Sequence, residues 1–389
     1  MLKAIKVRLY PNQQQRDALN FQFGAMRWAY NYALSWRSSA WKDEGVSVSK
    51  RQTLDKLVEL KKLEGTSWLK QADSQALQQS LMHLDQSFQK FFRKQGRFPR
   101  FKSKRAKQSM SYPQRVKVVG DSFLYLPKVG QMKAVLHRPI AGKIKTVTVS
   151  RTSTGKYYAS VLLEDGTVEP EAKKAIVEES VIGVDLGLTH LCIYSDGKKQ
   201  KNPRFLKRAA ANLRRKQKAL SRKKKGSKNR AKARLLVAKA HERTANTRND
   251  FQHKLSKRLI DENQVVCVET LKVKNMLKNS KLAKHIADAG WSDFVRKLEY
   301  KAKWYGKHLV KIDQWYASSK TCSACNEKQK TMALDVRHWK CSSCSAEHDR
   351  DVNAAINIKR QGVLKLKAEG LSVSACGGVR KSGSMPAAA

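Results

Sequence analysis

The sequence predicts an α+β chain of several domains, and three patterns carry that reading. Apolar residues at helical spacing dominate residues 12–95, and short β-branched and aromatic runs between glycine-containing turns dominate 110–163. Beyond residue 180, apolar strands carrying single acids are interleaved with strongly basic helical stretches. At 389 residues and 41% hydrophobic, the chain can bury a real core divided into two or three domains.

Taken in order, Leu2 to Tyr10 alternates as a strand, and Pro11-Asn12 breaks it and opens a helical region. Leu19, Phe23, Met26, Tyr30 and Leu34 form one helical stripe, and Leu77, Leu81, Leu84, Phe88 and Phe92 form another. Such stripes face a core. Residues 96–105 differ: Arg97, Phe98, Arg100, Phe101 and Lys102 interleave aromatics with cations, and Pro99 keeps the segment extended. That composition suits stacking on bases while gripping phosphates; a basic linker anchored by two phenylalanines fits it equally well. The runs Val116-Lys117-Val118-Val119, Lys145-Thr146-Val147-Thr148-Val149 and Tyr157-Tyr158-Ala159-Ser160-Val161 then predict a small barrel or sheet, to which the first strand is a candidate addition. Residues 167–178 are a charged connector, and a new domain begins near Ser180.

The chain carries 80 Lys+Arg against 32 Asp+Glu, a formal net charge of +48. An excess of this size calls for a polyanion, and phosphate contacts with counterion release make nucleic acid the expected partner. No apolar run approaches the roughly 20 residues of a spanning helix, there is no lipidation signal, and the N-terminus lacks an apolar export segment. A cytoplasmic, nucleoid-associated protein working as a monomer is the expectation. The charge concentrates between Lys207 and Lys239, including Arg214, Arg215, Arg222, Lys223 and Lys224, with a break at Gly226-Ser227 between two helices. A solvated face or an import signal is the plain alternative for such a run. Residues 375–389, rich in Gly, Ser and Ala, read as a disordered tail.

Cys322, Cys325, Cys341 and Cys344 make two CxxC pairs separated by 15 residues. Two thiols on one tight turn grip a tetrahedral Zn²⁺ at about 2.3 Å per sulfur, and two such turns close the site, so this zinc is structural. A disulfide framework would need an oxidising compartment. Cys192 and Cys267 read as core filler and Cys376 as an unstructured thiol.

The acids are the anomaly. Val181-Ile182-Gly183-Val184-Asp185 and Val265-Val266-Cys267-Val268-Glu269 are apolar strands ending in a carboxylate, and Asp351 opens a helix in which Val352, Ala355 and Ile356 have helical spacing. A carboxylate in apolar surroundings costs several kcal/mol unless paired, hydrogen-bonded or metal-bound. Singly, each could be a solvated strand end or a helix cap. Together they fit two Mg²⁺ ions about 3.5–4 Å apart that stabilise the attacking and leaving oxygens of a phosphodiester.

Gly183-Val184-Asp185-Leu186-Gly187, Glu269, the CxxC pairs and His348-Asp349-Arg350-Asp351-Val352-Asn353-Ala354-Ala355 resemble the RuvC-like part of the TnpB (OrfB) family, which is similar to the miniature type V CRISPR effectors. Polar residues 243–253, with Arg243 and Arg248, and the Pro99-Arg100-Phe101-Lys102 segment fall where that family has similar ones. The resemblance covers the chain to about residue 365. It implies an RNase H-like (RuvC) mixed α/β nuclease core over 178–317 and 346–365 with a zinc ribbon inserted at 318–345. It further implies a β-barrel wedge domain from 1–10 and 106–170, interrupted by a helical recognition domain at 11–105, with a disordered tail from 366. Asp185 on the first core strand, Glu269 on the fourth and Asp351 on the last helix would be the catalytic Mg²⁺ ligands, with Asp349 unassigned. The implied activity is cutting of double-stranded DNA matching a guide RNA from the transposon end, beside a short motif. Alternatives are a transposase joining DNA ends and a non-cleaving DNA-binding regulator. Asn326 and Ser345 stand where a ribbon often has glycine to take a positive φ, which Ser tolerates less well than Asn.

Overall fold

The computed structural model describes residues 1–333 and 335–374, so the expected tail over 375–389, Cys376 included, lies outside the described residues. Two compact units divide the chain, Met1–Val168 and Glu169–Ala389.

The first unit opens with β1 (Leu2–Tyr10), followed by α1 (Gln13–Glu44), α2 (Lys50–Lys62), a 3-10 turn (Glu64–Gln71) and α3 (Ser74–Phe92). Each helix start has a sequence-local cause. Asn12 and Gln15 form a reciprocal capping box at α1, Ser49 and Gln52 form one at α2, and Asp73 accepts the Ala76 amide at α3. Six strands follow: β2 (Gln108–Tyr112), β3 (Lys117–Val119), β4 (Phe123–Leu126), β5 (Gly130–Val135), β6 (Lys143–Arg151) and β7 (Tyr157–Glu164). They join β1 in one antiparallel sheet of order β2-β6-β7-β1-β5-β4-β3. The N-terminal strand is thus central, pairing Leu2 with Glu164 through Leu9 with Tyr157 on one side and β5 on the other. The end strands β2 and β3 do not pair with each other, so by its ladders this is an open seven-stranded sheet where a barrel was expected.

Helices and sheet share one core: Leu19, Phe23, Met26, Leu34, Leu77 and Leu84 pack in the same cluster as Val7, Leu124, Met132, Val147 and Val161. The predicted aromatic stripe of α3 leaves that core at its end, where Phe92 is 71% exposed.

The second unit contains β8 (Ala175–Val177), β9 (Val181–Asp185), β10 (His190–Tyr194), β11 (Lys199–Lys201), α4 (Phe205–Ser221), α5 (Lys228–Glu262), β12 (Val265–Val268), α6 (Val273–Met276), α7 (Ser280–Ala289), α8 (Trp291–Trp304), β13 (His308–Lys311), β14 (His338–Lys340), β15 (Glu347–Asp349), α9 (Arg350–Ala368) and β16 (Ser372–Ser374). Five of its strands form a mixed sheet, β11-β10-β9-β12-β13, antiparallel through β9 and parallel from β9 to β13.

The pleat sorts its residues. Val184, Val266 and Val268 pack with Leu255 and Leu259 of α5 and Phe294 and Leu298 of α8. Val181, Val265, Cys267 and Val310 pack on the other face with Ile358, Val363 and Leu366 of α9. Leu366 is 1% exposed and β16 pairs in parallel with β8, so the ordered chain runs on to Ser374, past the expected tail start at 366. Among the described residues no helix is long and apolar enough to cross a membrane.

Candidate active site and metal centre

Asp185 ends β9 and Glu269 directly follows β12. The parallel register pairs Val184 with Val268, so these acids are the next residues on adjacent strands. By alternation from Gly183 and Cys267, both lie on the face that α9 covers. Gly183 decides how close α9 comes. A Cβ there would lie 2.1 Å from the Ala355 carbonyl oxygen, so helix backbone rests directly on strand backbone. Asp351 lies four residues, one helical turn, before Ala355 and two past the strand-ending Asp349. It therefore stands over the strand ends that carry Asp185 and Glu269.

Asp185 feels both of the other carboxylates. Burial, then Glu269, then Asp351, push the Asp185 carboxyl well above the usual range, and burial raises Glu269. Glu269 is oriented by the Leu186 amide, which donates to its Oε1 at 3.4 Å. Asp351 meets Arg337 at 3.3 Å, although that guanidinium side chain is 60% exposed. Asp349, unassigned from sequence, is the cap of α9: its Oδ1 accepts the amides of Asp351 and Val352 at 3.1 and 3.0 Å, and its Oδ2 meets Lys199 at 2.6 Å. With both oxygens engaged, Asp349 positions the first turn and leaves Asp351 to face the strand ends.

The four cysteines form a group whose ligand atoms all lie within 4.8 Å of one another. Tetrahedral thiolates on one zinc stand roughly 3.8 Å apart; here Cys322 and Cys344 are 3.6 Å apart and Cys325 and Cys341 3.7 Å apart. The two knuckles share one backbone pattern. The amides of Asn326 and Ser345 donate to the carbonyls of Cys322 and Cys341, and the amides of those cysteines donate to the carbonyls of Glu327 and Ala346. Asn326 and Ser345 take φ of 65° and 60°, so Ser adopts the glycine-like conformation too. Amides of Cys344 and Ser343 draw the Cys341 thiol down to about 7, while the Cys344 thiol is raised.

The second knuckle runs past the expected ribbon boundary at 345. β15 pairs with β14 from Glu347 to Asp349, and Asp349 then caps α9, so the cysteine ribbon passes into the Asp351 helix without a linker.

Sequence reading missed several participants. Asn353, Asn357 and Arg360 of α9 bond the first knuckle: both asparagines donate to the Thr321 carbonyl, and Arg360 reaches Asn326 and, at 2.9 Å, the Ser323 carbonyl. The available signal was their i, i+4, i+7 spacing. His348, quoted only within a motif, places Nε2 3.0 Å from Cys322 Sγ, where a ring N–H would support a thiolate.

The basic candidates divide. In the first unit Phe98 packs edge-on against Phe88 and Phe91, Pro99 is buried, and Lys102 lies 3.9 Å above the Tyr30 ring with its backbone clasped by Asn31. Arg97, Arg100 and Phe101 remain exposed, so the segment is an anchored loop with a free basic and aromatic edge. In the second unit α4 and the first part of α5, before Gln252, bury nothing. Their junction is a closed turn, with Ser227 capping α5 and Arg230 bonding the carbonyls of Leu220 and Lys223. Arg214, Arg215, Arg222, Lys223, Lys224 and Arg243 are exposed on this hairpin. Arg248 is not free: it pairs with Asp288 at 3.5 Å and bonds the Ala287 carbonyl, tying α5 to α7.

A polycationic chain with strand-end acids and a cluster of four cysteines has the equipment of a nucleic-acid-handling protein. Residues 164–280 match the OrfB family of the IS605 type, described as a probable transposase, and residues 291–358 match the Cas12f1-like TNB domain. Residues 1–45 match a domain described as helix-turn-helix, although here they form one strand and one unbroken helix. A Streptomyces pristinaespiralis protein named "Putative RNA-guided DNA endonuclease" is 43% identical over 383 residues, covering 97% of this chain and 92% of its own. InsQ of Escherichia coli K12, with the same description, is 33% identical over 398 residues, covering 98% and 96%. The chain therefore belongs to the TnpB (OrfB) family. A structure titled as a Cas12f1-sgRNA-target DNA complex shares the fold, with a TM-score of 0.50 at 14% identity over 92% of this chain and 98% of that one.

Proposed function

We infer that this chain is a transposon-encoded RNA-guided DNA endonuclease whose second unit has an RNase H-like (RuvC) core. The observation that carries the active-site assignment is the parallel register that sets Asp185 beside Glu269, with Gly183 letting α9 bring Asp351 over both. The sheet order, antiparallel through β9 and parallel beyond it, supports the same reading.

Three carboxylates placed so that burial, then Glu269, then Asp351 raise the Asp185 carboxyl suit hard divalent cations, and two Mg²⁺ ions would offset charge on the attacking and leaving oxygens of a phosphodiester. The chain's own part is positional. Asp185 and Glu269 sit on rigid strand ends, Leu186 orients Glu269, and Asp349 with Lys199 fixes the first turn of α9. Arg337 is the cation now paired with Asp351, and a divalent ion there would compete with it. Cys322, Cys325, Cys341 and Cys344 would hold a structural Zn²⁺, their sulfur spacing matching tetrahedral thiolates. The exposed cations of the α4–α5 hairpin, with Arg97, Arg100 and Phe101, would grip guide RNA and DNA backbones.

The test is to express the chain with its native flanking DNA, purify the ribonucleoprotein, and incubate it with plasmids bearing a matched or scrambled target, with and without Mg²⁺. Linear plasmid only with match and metal is expected. Strand-transfer products from a donor with transposon ends would move the assignment to a transposase. Matched binding without cutting would make the protein a regulator.

A further inference from the structure

Beside Glu269 lies a cleft to which the carboxylates assign no role. It forms where the chain leaves two parallel neighbours, after β12 and after β13, and its lining includes Glu269, Thr270, Lys272, Asp313 and Trp315. Thr270 Oγ1 donates to the Ile312 carbonyl at 2.6 Å, so the two exits are tied together. Trp315 is 80% exposed, the most exposed aromatic ring among the described residues. Its backbone is held, because the Trp315 amide donates to Asp313 Oδ1 at 2.6 Å. An indole kept in water on an anchored turn gives up the burial that large aromatic rings normally gain. Lys272 places its ammonium 5.2 Å from the ring centroid.

An exposed π face with a cation over the ring, in a cleft that a carboxylate also lines, matches one ligand chemistry. A nucleobase stacks on the ring while its flanking phosphate meets the ammonium, and stacking of this kind tolerates any base. Resting on the nuclease reading above, we propose that Trp315 is a stacking subsite for a nucleobase of the DNA strand being cut, next to the scissile phosphate, and that Lys272 binds the phosphate of that nucleotide.

The test uses the ribonucleoprotein on matched targets with a single abasic site walked across the cut region. For the wild type, one abasic position is expected to slow cutting about ten-fold, within the usual effect of losing one stacked base. Trp315→Ala should cut the intact target about ten-fold more slowly and lose the response at that position, whereas Trp315→Phe should retain it. A Trp315→Ala protein with wild-type rate and wild-type abasic profile would overturn the subsite while leaving the nuclease reading intact. In parallel, 5-iododeoxyuridine targets are photo-crosslinked to the Asp185→Asn ribonucleoprotein, a readout independent of cutting. An adduct mapped to Trp315 is expected even if the wild type proves not to cut. Adducts elsewhere and none at Trp315, or a protein partner occupying that surface instead, would refute the proposal.

Discussion

Asn353 donates its side-chain amide to the Thr321 carbonyl at 2.8 Å, while its own oxygen accepts the Ser323 amide at 2.8 Å. One buried side chain, 2% exposed, thus joins the first cysteine knuckle to the helix that bears Asp351. Asn353→Ala would leave the Ser323 amide without its acceptor, a loss of about 1–3 kcal/mol at most, while the Thr321 carbonyl would keep only its bond from Asn357. Asn353→Asp, which can accept but not donate, should be nearly as harmful. Urea midpoints measure the stability loss and the rate of zinc release to a chelator measures the knuckle. A wild-type release rate in both variants would show that the clamp does not hold it.

Metal analysis of the purified chain should find one zinc per molecule, and Cys322→Ser should lose it and lower the melting temperature. Because the ribbon passes directly into α9, amide exchange over residues 350–357 should also rise on zinc removal. Unchanged exchange there would mean that metal centre and helix are mechanically independent.

Gly183→Ala tests the contact that places the acids. The new methyl meets backbone on α9 and cannot be accommodated by turning a side chain. A loss of about 3 kcal/mol or more is expected, since overpacking against backbone lies at the severe end of such changes. Denaturation midpoints decide the matter, and a change below about 1 kcal/mol would mean that α9 moves freely.

Asp185→Asn should abolish cutting and leave guide and target binding nearly intact. It should also raise the melting temperature of the metal-free protein, because it removes a charge disfavoured by burial and by Glu269 and Asp351. Cutting activity that survives the substitution, or a lower metal-free melting temperature, would count against the site.

Lys301 supplies a pH signature remote from the acids. It is 7% exposed, donates to the His253 carbonyl and Ser256 hydroxyl, and burial with Lys257 and Lys297 pushes its ammonium down to about 8. An unfolded lysine keeps its proton to about 10.4. Between those values the unfolded chain binds more protons, so this group makes stability rise with pH. Lys301→Met keeps the volume and removes the effect. Its urea midpoint should therefore climb less than the wild type's from pH 8 to 10, and parallel curves would reject the assignment.

Features that depend on near neighbours along the chain are legible in the residues alone. CxxC spacing placed four thiols on two turns, the 3.6 period placed Leu19 to Leu34 and Leu77 to Phe88 in a core, and the charge balance named the class of partner. Acids ending apolar strands marked Asp185 and Glu269, since local hydrophobicity makes a buried carboxylate stand out. Features that depend on residues far apart in sequence emerge from packing. The parallel register makes Glu269 the neighbour of Asp185, and Gly183 admits the α9 backbone so that Asp351 arrives while Asp349 turns to capping. Arg248 looked like any other cation until Asp288 was beside it, and the stripe that packs Leu77 to Phe88 inward ends on an exposed Phe92. Periodicity states which face of an element is apolar; the partner it meets, and how closely, is fixed by packing between segments whose approach no local pattern encodes.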